Sequence, residues 1–343
     1  MLQGAGTDPE TCEEIRRAIR ARRECRVEIL NYRKDGSQFW NRLSLTPVEN
    51  ASGEITHYIG VQSDVSDRRR AEDALREANR ELLHVNERTQ RGMEAAAHIQ
   101  QALLPQDLPT LPGAQFAFGL RPSETLAGDV LNIVPLSPRE VGLYVIDVSG
   151  HGVPAALLSV TLSHWLQPAR RQSLLIVPDA AEPSRPWVTP PRQVAERLAR
   201  QFPFDLRTAQ YFTMVYAVLN VAERRVSFVC AGHPAPLLVP ASGPARPLSA
   251  SGLPIGIGTT PYEEQVLALE PGDRLLLYSD GVTDAEDARG REFGIEGLMR
   301  EALATRALPL DQAVASVLQS VEQWCDADGP KDDLSLVALE LKQ

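Results

Sequence analysis

Short runs of apolar positions separated by polar turn residues dominate the first part of the chain. They predict strands over residues 27–32, 38–47 and 55–63. Lys34-Asp35-Gly36 and Asn50-Ala51-Ser52-Gly53 separate them, and both are hairpin turn chemistry. Ahead of these strands, residues 11–23 carry helical spacing. One helix and three strands in about 65 residues is thin for a free-standing core, so this segment reads as an incomplete domain.

The pattern then changes. From Asp67 to Gln101 the chain has no proline and a single glycine, and Leu75, Ala78, Leu82, Val85, Ala96, Ile99 and Leu103 alternate three-four spacings. Thr89 and Gly92 are weak members of that series. Heptad spacing with mixed charges elsewhere predicts a parallel dimeric coiled coil; a single amphipathic helix resting on a flanking domain is the alternative.

Pro105 ends the helical pattern. Beyond it, strands are predicted at 115–119, 130–135, 141–148, 211–220, 225–231, 235–238, 274–279 and 334–339. Helices are predicted at 153–166, 191–201, 295–305 and 310–325, with a Pro/Ser/Ala-rich flap or loop over 167–192. Many hairpin-like strand pairs with few β-α-β alternations favour antiparallel sheets faced by helices. The chain thus divides into residues 1–66, a helical linker 67–104 and a domain 105–343.

Composition narrows the classes. A formal net charge of −10 argues against nucleic acid as the main partner. The four cysteines (Cys12, Cys25, Cys230, Cys325) form no C-x-x-C pair, which disfavours structural zinc and a disulfide framework. No apolar run approaches the roughly 20 residues that cross a bilayer, and no basic start precedes an apolar stretch. The expectation is a soluble cytoplasmic protein with no membrane contact.

Four acidic sites stand at strand ends: Ala127-Gly128-Asp129, Asp147-Val148-Ser149-Gly150-His151-Gly152, Ser279-Asp280-Gly281, and Lys331-Asp332-Asp333. Apolar runs (VGLYVI, RLLLYS) lead straight into two of these Asp residues. A carboxylate at the end of a buried strand is costly to desolvate, and several converging ones repel. Hard divalent cations with oxygen ligands are the usual remedy. Any single Asp-Gly would more simply be a turn.

The segments AAHIQQALLP, IDVSGHGVPAALLSVTL, FTMVYAVLN, FVCAGHPAPLL, GLPIGI, LLLYSDGVTDA and KDDLSLVAL resemble the PPM superfamily of metal-dependent Ser/Thr phosphatases, in its bacterial sporulation and stress-response branch. The resemblance implies an α+β fold, an α/β/β/α sandwich, with two Mn²⁺ or Mg²⁺ ions. On the matching positions Asp147 would bridge the ions and the Val148 carbonyl would complete one site. Asp280 and Asp332 would bind the other ion, and Asp129 would act through water, with Asp333 a weaker candidate. It further implies a phosphoserine/phosphothreonine protein substrate, an anti-sigma-factor antagonist, attacked by metal-activated water. His151 is a candidate general acid or a turn cap, His233 a loop support, and Arg121 a phosphate contact. Where many relatives carry Gly-Gly-Asp, an aromatic and a second Asp, this chain has Ala127-Gly128-Asp129-Val130-Leu131-Asn132. A lost carboxylate at Asn132 would bear on metal affinity, and it is the feature that favours an alternative function as a catalytically weak signalling scaffold.

The N-terminal ILNYRKDGSQFWNRLSLTPV and YIGVQSDVSDRRRAE resemble the latter part of a light-oxygen-voltage PAS sensor. On that resemblance Asn31, Asn41 and Gln62 match flavin-bonding positions. The reactive cysteine would lie upstream of Leu2, so a bound flavin is not expected here. A histidine kinase is excluded by the lack of a glycine-rich ATP lid and of a linker histidine in H-E/D-x-x-x-P context.

Overall fold

The computed structural model describes residues 2–168, 173–177, 187–204, 209–249, 251–258, 261–326 and 329–342. The chain forms two compact units, one up to Gln90 and one from Arg91 onward. Among the described residues no helix is long and apolar enough to cross a membrane.

The first unit contains α1 (Pro9–Arg20), β1 (Cys25–Tyr32), β2 (Gln38–Glu49), β3 (Ile55–Asp64) and the first part of α2 (Ser66–Gln101). Asp8 caps α1 through the Glu10 and Thr11 amides, and the left-handed Arg22 (φ 57°) follows its end. The helix therefore starts and stops slightly earlier than its apolar spacing predicts. The strands form one antiparallel sheet in the order β1-β2-β3, and its register puts Asn31, Asn41 and Gln62 on one face. Asn31 and Asn41 are buried and bonded to each other, Asn41 Nδ2 donating to Asn31 Oδ1 at 2.9 Å, while Gln62 is exposed. The start of α2 is fastened to this sheet: the Trp40 amide donates to Ser66 Oγ at 2.8 Å, and Arg69 lies 3.7 Å over the Trp40 ring while pairing with Glu28.

The second unit begins with the end of α2 and continues through β4 (Ala114–Arg121), β5 (Val130–Ser137), β6 (Glu140–Val148) and α3 (Val153–Trp165). A small hairpin of β7 (Ile176–Val177) and β8 (Trp187–Val188) follows, then α4 (Pro191–Gln201), β9 (Phe212–Asn220) and β10 (Arg225–Ala231). Next come β11 (Leu237–Val239), β12 (Arg246–Pro247), β13 (Gln265–Ala268) and β14 (Arg274–Tyr278). The last elements are α5 (Asp280–Asp284), α6 (Gly294–Ala304), α7 (Leu310–Trp324) and β15 (Leu334–Leu341). Much of the expected flap over 167–192 lies outside the described residues.

The strands make two five-stranded antiparallel sheets, ordered β13-β10-β9-β6-β5 and β12-β11-β14-β15-β4. Leu143, Val145, Val215 and Phe228 of one sheet pack with Leu275, Leu277, Val337 and Leu339 of the other. The opposite face of the first sheet (Tyr144, Ile146, Met214, Tyr216) packs on Leu162, Leu166, Val194 and Leu198 of α3 and α4. The opposite face of the second (Leu276, Tyr278, Leu336, Ala338) packs on Leu298, Val314, Val317 and Leu318 of α6 and α7. Layers therefore run helix, sheet, sheet, helix, as the resemblance implies. Central strands bury both faces, which is why β6 and β15 read as continuous apolar runs rather than alternations.

Candidate active site

The four acidic sites meet at one end of the paired sheets. Asp147 lies in the last turn-ward part of β6, directly opposite Thr213 of β9. Asp129 immediately precedes β5, Asp280 opens α5, and Asp332 and Asp333 immediately precede β15. Each of these strands is held in place by apolar burial on both faces, so its end delivers a carboxylate to a fixed position.

Electrostatics report the convergence. Burial, and then the charges of Asp280, Asp332 and Asp333, push the Asp147 carboxyl up to about 7. Burial followed by the charges of Asp147 and Asp333 raises Asp129 well above the usual carboxylate range, opposed by the hydroxyl of Ser335, which donates to Asp129 Oδ2. Asp280 is raised by burial and then by Asp332 and Asp284. Asp332 is raised chiefly by burial; the Asp333 amide, which donates to Asp332 Oδ1 at 2.8 Å, works in the other direction. Among the described residues, no three His, Cys, Asp or Glu side chains stand in metal-holding geometry. The donors are nonetheless all oxygen and mutually repelling, which is the chemistry of a hard divalent cation site.

The supporting contacts are specific. Gly128 sits so close under β6 that a Cβ would lie 3.2 Å from the Val148 carbonyl and 3.4 Å from that of Gly150. A Cβ on Gly281 would come within 2.3 Å of the Asp333 carbonyl. Asp333 is 4% exposed, and its two oxygens accept from the Ser123 amide and hydroxyl and from the amides of Gly128 and Asp129. Those donors occupy it, so Asp333 braces the loop instead of facing the cluster as a ligand. At the end of α2, Gln100 bonds both backbone groups of Ala127 and the Ser159 hydroxyl.

Residues 137–342 match the profile of stage II sporulation protein E, SpoIIE. The chain belongs to the SpoIIE family. Residues 1–67 match a PAS domain. Phosphoserine phosphatase RsbP of Bacillus subtilis is 29% identical over 197 residues, 57% of this chain and 46% of that protein. A blue-light-activated histidine kinase of Rhizobium johnstonii is 47% identical over 88 residues, 26% of each chain, which supports the light-oxygen-voltage likeness of the N-terminal part. The chain thus spans less than half the length of either relative. Among solved structures, the RsbU and RsbW domains of a Mycobacterium tuberculosis protein give a TM-score of 0.53 at 25% identity, over 68% of this chain and 62% of that one. The SiaA-PP2C domain of Pseudomonas aeruginosa gives 0.63 at 18% identity, over 75% and 99%, a likeness of fold.

Set within the SpoIIE family fold, the remaining candidates separate. His151 is exposed at the rim and its Nδ1 lies 3.2 Å from Glu124; Gly152, not His151, occupies the cap position of α3. Its proximity acts, as the smallest of the causes, against the rise that burial gives Asp332. His233 is buried, bonded through Nδ1 to Thr213 Oγ1 at 2.7 Å, and burial holds it down at about 3, hence neutral. It supports the loop beside Asp147. Arg121 does not join the cluster: its guanidinium pairs with Glu322 of α7 at 3.3 Å. Asn132 points its amide at the Leu103 carbonyl, 3.3 Å away, and register places it opposite Tyr144, whose side chain faces the helices. The residue that replaces a carboxylate therefore lies off the acidic cluster. Sequence reasoning singled out neither Gln100 nor Ser335, although both lie inside the segments AAHIQQALLP and KDDLSLVAL.

Proposed function

We propose that this chain is a metal-dependent protein phosphatase that hydrolyses phosphoserine or phosphothreonine on a partner protein. The observation that carries the reading is the set of four mutually repelling carboxylates at one end of a PP2C-type sandwich, with Asp147 pushed up to about 7 by burial and its neighbours. Asp147, the Val148 carbonyl, Asp280 and Asp332 would hold two Mn²⁺ or Mg²⁺ ions, with Asp129 acting through water. Bound there, the cations supply an activated water and offset charge on the phosphoryl oxygens. The chain's own part is positional: Gly128 lets the Asp129 loop lie against β6, Ser335 holds the Asp129 carboxyl, and Thr213 with His233 backs Asp147. Water attacks in line, so no side chain need form a covalent intermediate.

The likeness to RsbP, a phosphoserine phosphatase, supports phosphoserine as the substrate group, and the resemblance to the stress-response branch implies a phosphorylated anti-sigma-factor antagonist as the partner. Leu75, Leu82, Val85 and Ile99 are each more than half exposed along α2, which supports a homodimer through the linker. A twist or register shift of that helix would act on the site through Gln100. The scaffold alternative loses its footing, since Asn132 stands off the cluster.

The test is hydrolysis of p-nitrophenyl phosphate, then of a phosphoserine protein, with Mn²⁺, with EDTA, and with Asp147→Ala. Turnover that requires Mn²⁺ and disappears with chelator and substitution is expected. A purified protein that binds Mn²⁺ and hydrolyses neither substrate would return the scaffold reading.

A further inference from the structure

The irregular loop from Ser123 to Asp129 has no sheet partner of its own, yet it delivers Asp129 to the cluster. Gln100 holds its middle at Ala127, and Asp333 holds both of its ends. Asp333 Oδ1 accepts from the Ser123 amide at 2.8 Å and its hydroxyl at 3.1 Å. Asp333 Oδ2 accepts from the Gly128 amide at 2.7 Å and the Asp129 amide at 3.2 Å. The backbone of the same residue reaches the other two acidic turns. Its amide donates to Asp332 Oδ1 at 2.8 Å, and its carbonyl accepts from Ser279 Oγ at 3.1 Å, one residue before Asp280. Gly281 packs so closely on that carbonyl that no Cβ could fit.

We propose that Asp333 is a positioning residue that locks the Asp129, Asp280 and Asp332 turns into one register, and thereby sets cation affinity and turnover without touching substrate. This rests on the reading of the cluster as a divalent cation site. The chemistry demands a carboxylate. It alone offers acceptor lone pairs on both oxygens, and all four partners are donors. An amide of the same shape turns one acceptor into a donor facing other donors, and buried groups are left unpaired. Ligand-supporting contacts of this kind are worth about 10- to 100-fold in metal affinity.

The experiment compares wild type, Asp333→Asn and Ser123→Ala in the full chain. Free Mn²⁺ is titrated by electron paramagnetic resonance, amide exchange is followed at Gly128 and Asp129, and kcat and KM are measured on p-nitrophenyl phosphate. Asp333→Asn should weaken Mn²⁺ binding at least about tenfold, lower kcat comparably with KM within about twofold, and speed exchange of the loop. Ser123→Ala, which removes one donor, should move all three in the same direction by a smaller factor. An Asp333→Asn protein with Mn²⁺ affinity and loop exchange like wild type overturns the proposal. Should that variant fail to fold, unchanged Mn²⁺ affinity and exchange in Ser123→Ala overturn it instead. A wild type that binds Mn²⁺ without turnover sinks the phosphatase reading alone, whereas a wild type that does not bind Mn²⁺ sinks both.

Discussion

Gln100 meets Ala127 as a strand partner would: the Ala127 amide donates to Gln100 Oε1 at 3.0 Å, and Gln100 Nε2 donates back to the Ala127 carbonyl at 2.6 Å. The residue two places on is Asp129, so the last turn of α2 is tied to the acidic cluster through one amide group. Gln100→Ala leaves both backbone groups of a nearly buried residue unpaired, a loss of about 1–3 kcal/mol per group at most. The expected result is a kcat on p-nitrophenyl phosphate reduced several-fold or more, with a lower melting temperature. Gln100→Glu, which keeps the acceptor and loses the donor, should fall between. Full activity in Gln100→Ala would show that α2 has no hold on the site.

The raised Asp147 carboxyl makes a signed prediction for the metal-free protein. Its folded value of about 7 lies above the ordinary 3.8, so the folded chain keeps a proton that the unfolded chain releases. The stabilisation is fully present below the unfolded value and is lost as pH rises toward and through 7. With EDTA present, the melting temperature of wild type relative to Asp147→Asn should therefore fall from pH 4 to pH 8. A difference that grows with pH would contradict the assignment. Saturating Mn²⁺ should reverse the trend at neutral pH, by about 2.7 kcal/mol at a hundredfold excess over Kd.

Gly128 is confined by space, not by backbone angle, since it is absent from the positive-φ glycines. A Cβ there would meet the carbonyl oxygens of Val148 and Gly150, neither of which can rotate away. Gly128→Ala should cost about 1–3 kcal/mol and reduce Mn²⁺-dependent turnover. Thermal melts and metal titration of the purified variant check this; wild-type Mn²⁺ affinity would count against it.

Leu75 and Leu82 stand one heptad apart, 63% and 66% exposed. Aspartate at both positions should convert a dimer to a monomer in sedimentation equilibrium while leaving the phosphatase unit folded. A wild type that sediments as a monomer would dismiss the coiled coil and leave the amphipathic-helix alternative.

The layered fold was legible because the central strands are apolar on both faces, and two of them, β6 and β14, run straight to Asp147 and Asp280. The linker helix was equally plain from its heptad spacing, weakest at Thr89 and Gly92. What stayed hidden were contacts between residues far apart in the chain. Nothing local marks Asp333 as the acceptor for Ser123, or Gln100 as the partner of Ala127. The run SDGVTDA reads as a turn, and its single helical turn α5 buries Val282, with Ala285 beside it, among α6 and α7 residues. Asn132 misled for a related reason: the motif comparison gives its neighbours along the chain, whereas the strand's pleat decides which face it joins.

The order of strands in space also sets an order in time. β15 comes after β14 and β4 in sequence, yet it lies between them, pairing along Leu334–Leu341 with Ala114–Arg121. During synthesis β4 must wait with an open edge while more than two hundred residues are made. Asp332 and Asp333 arrive with that strand. A ribosome-bound chain therefore carries Asp129, Asp147 and Asp280 with no brace between them, and the site comes into being only when the closing strand slots home.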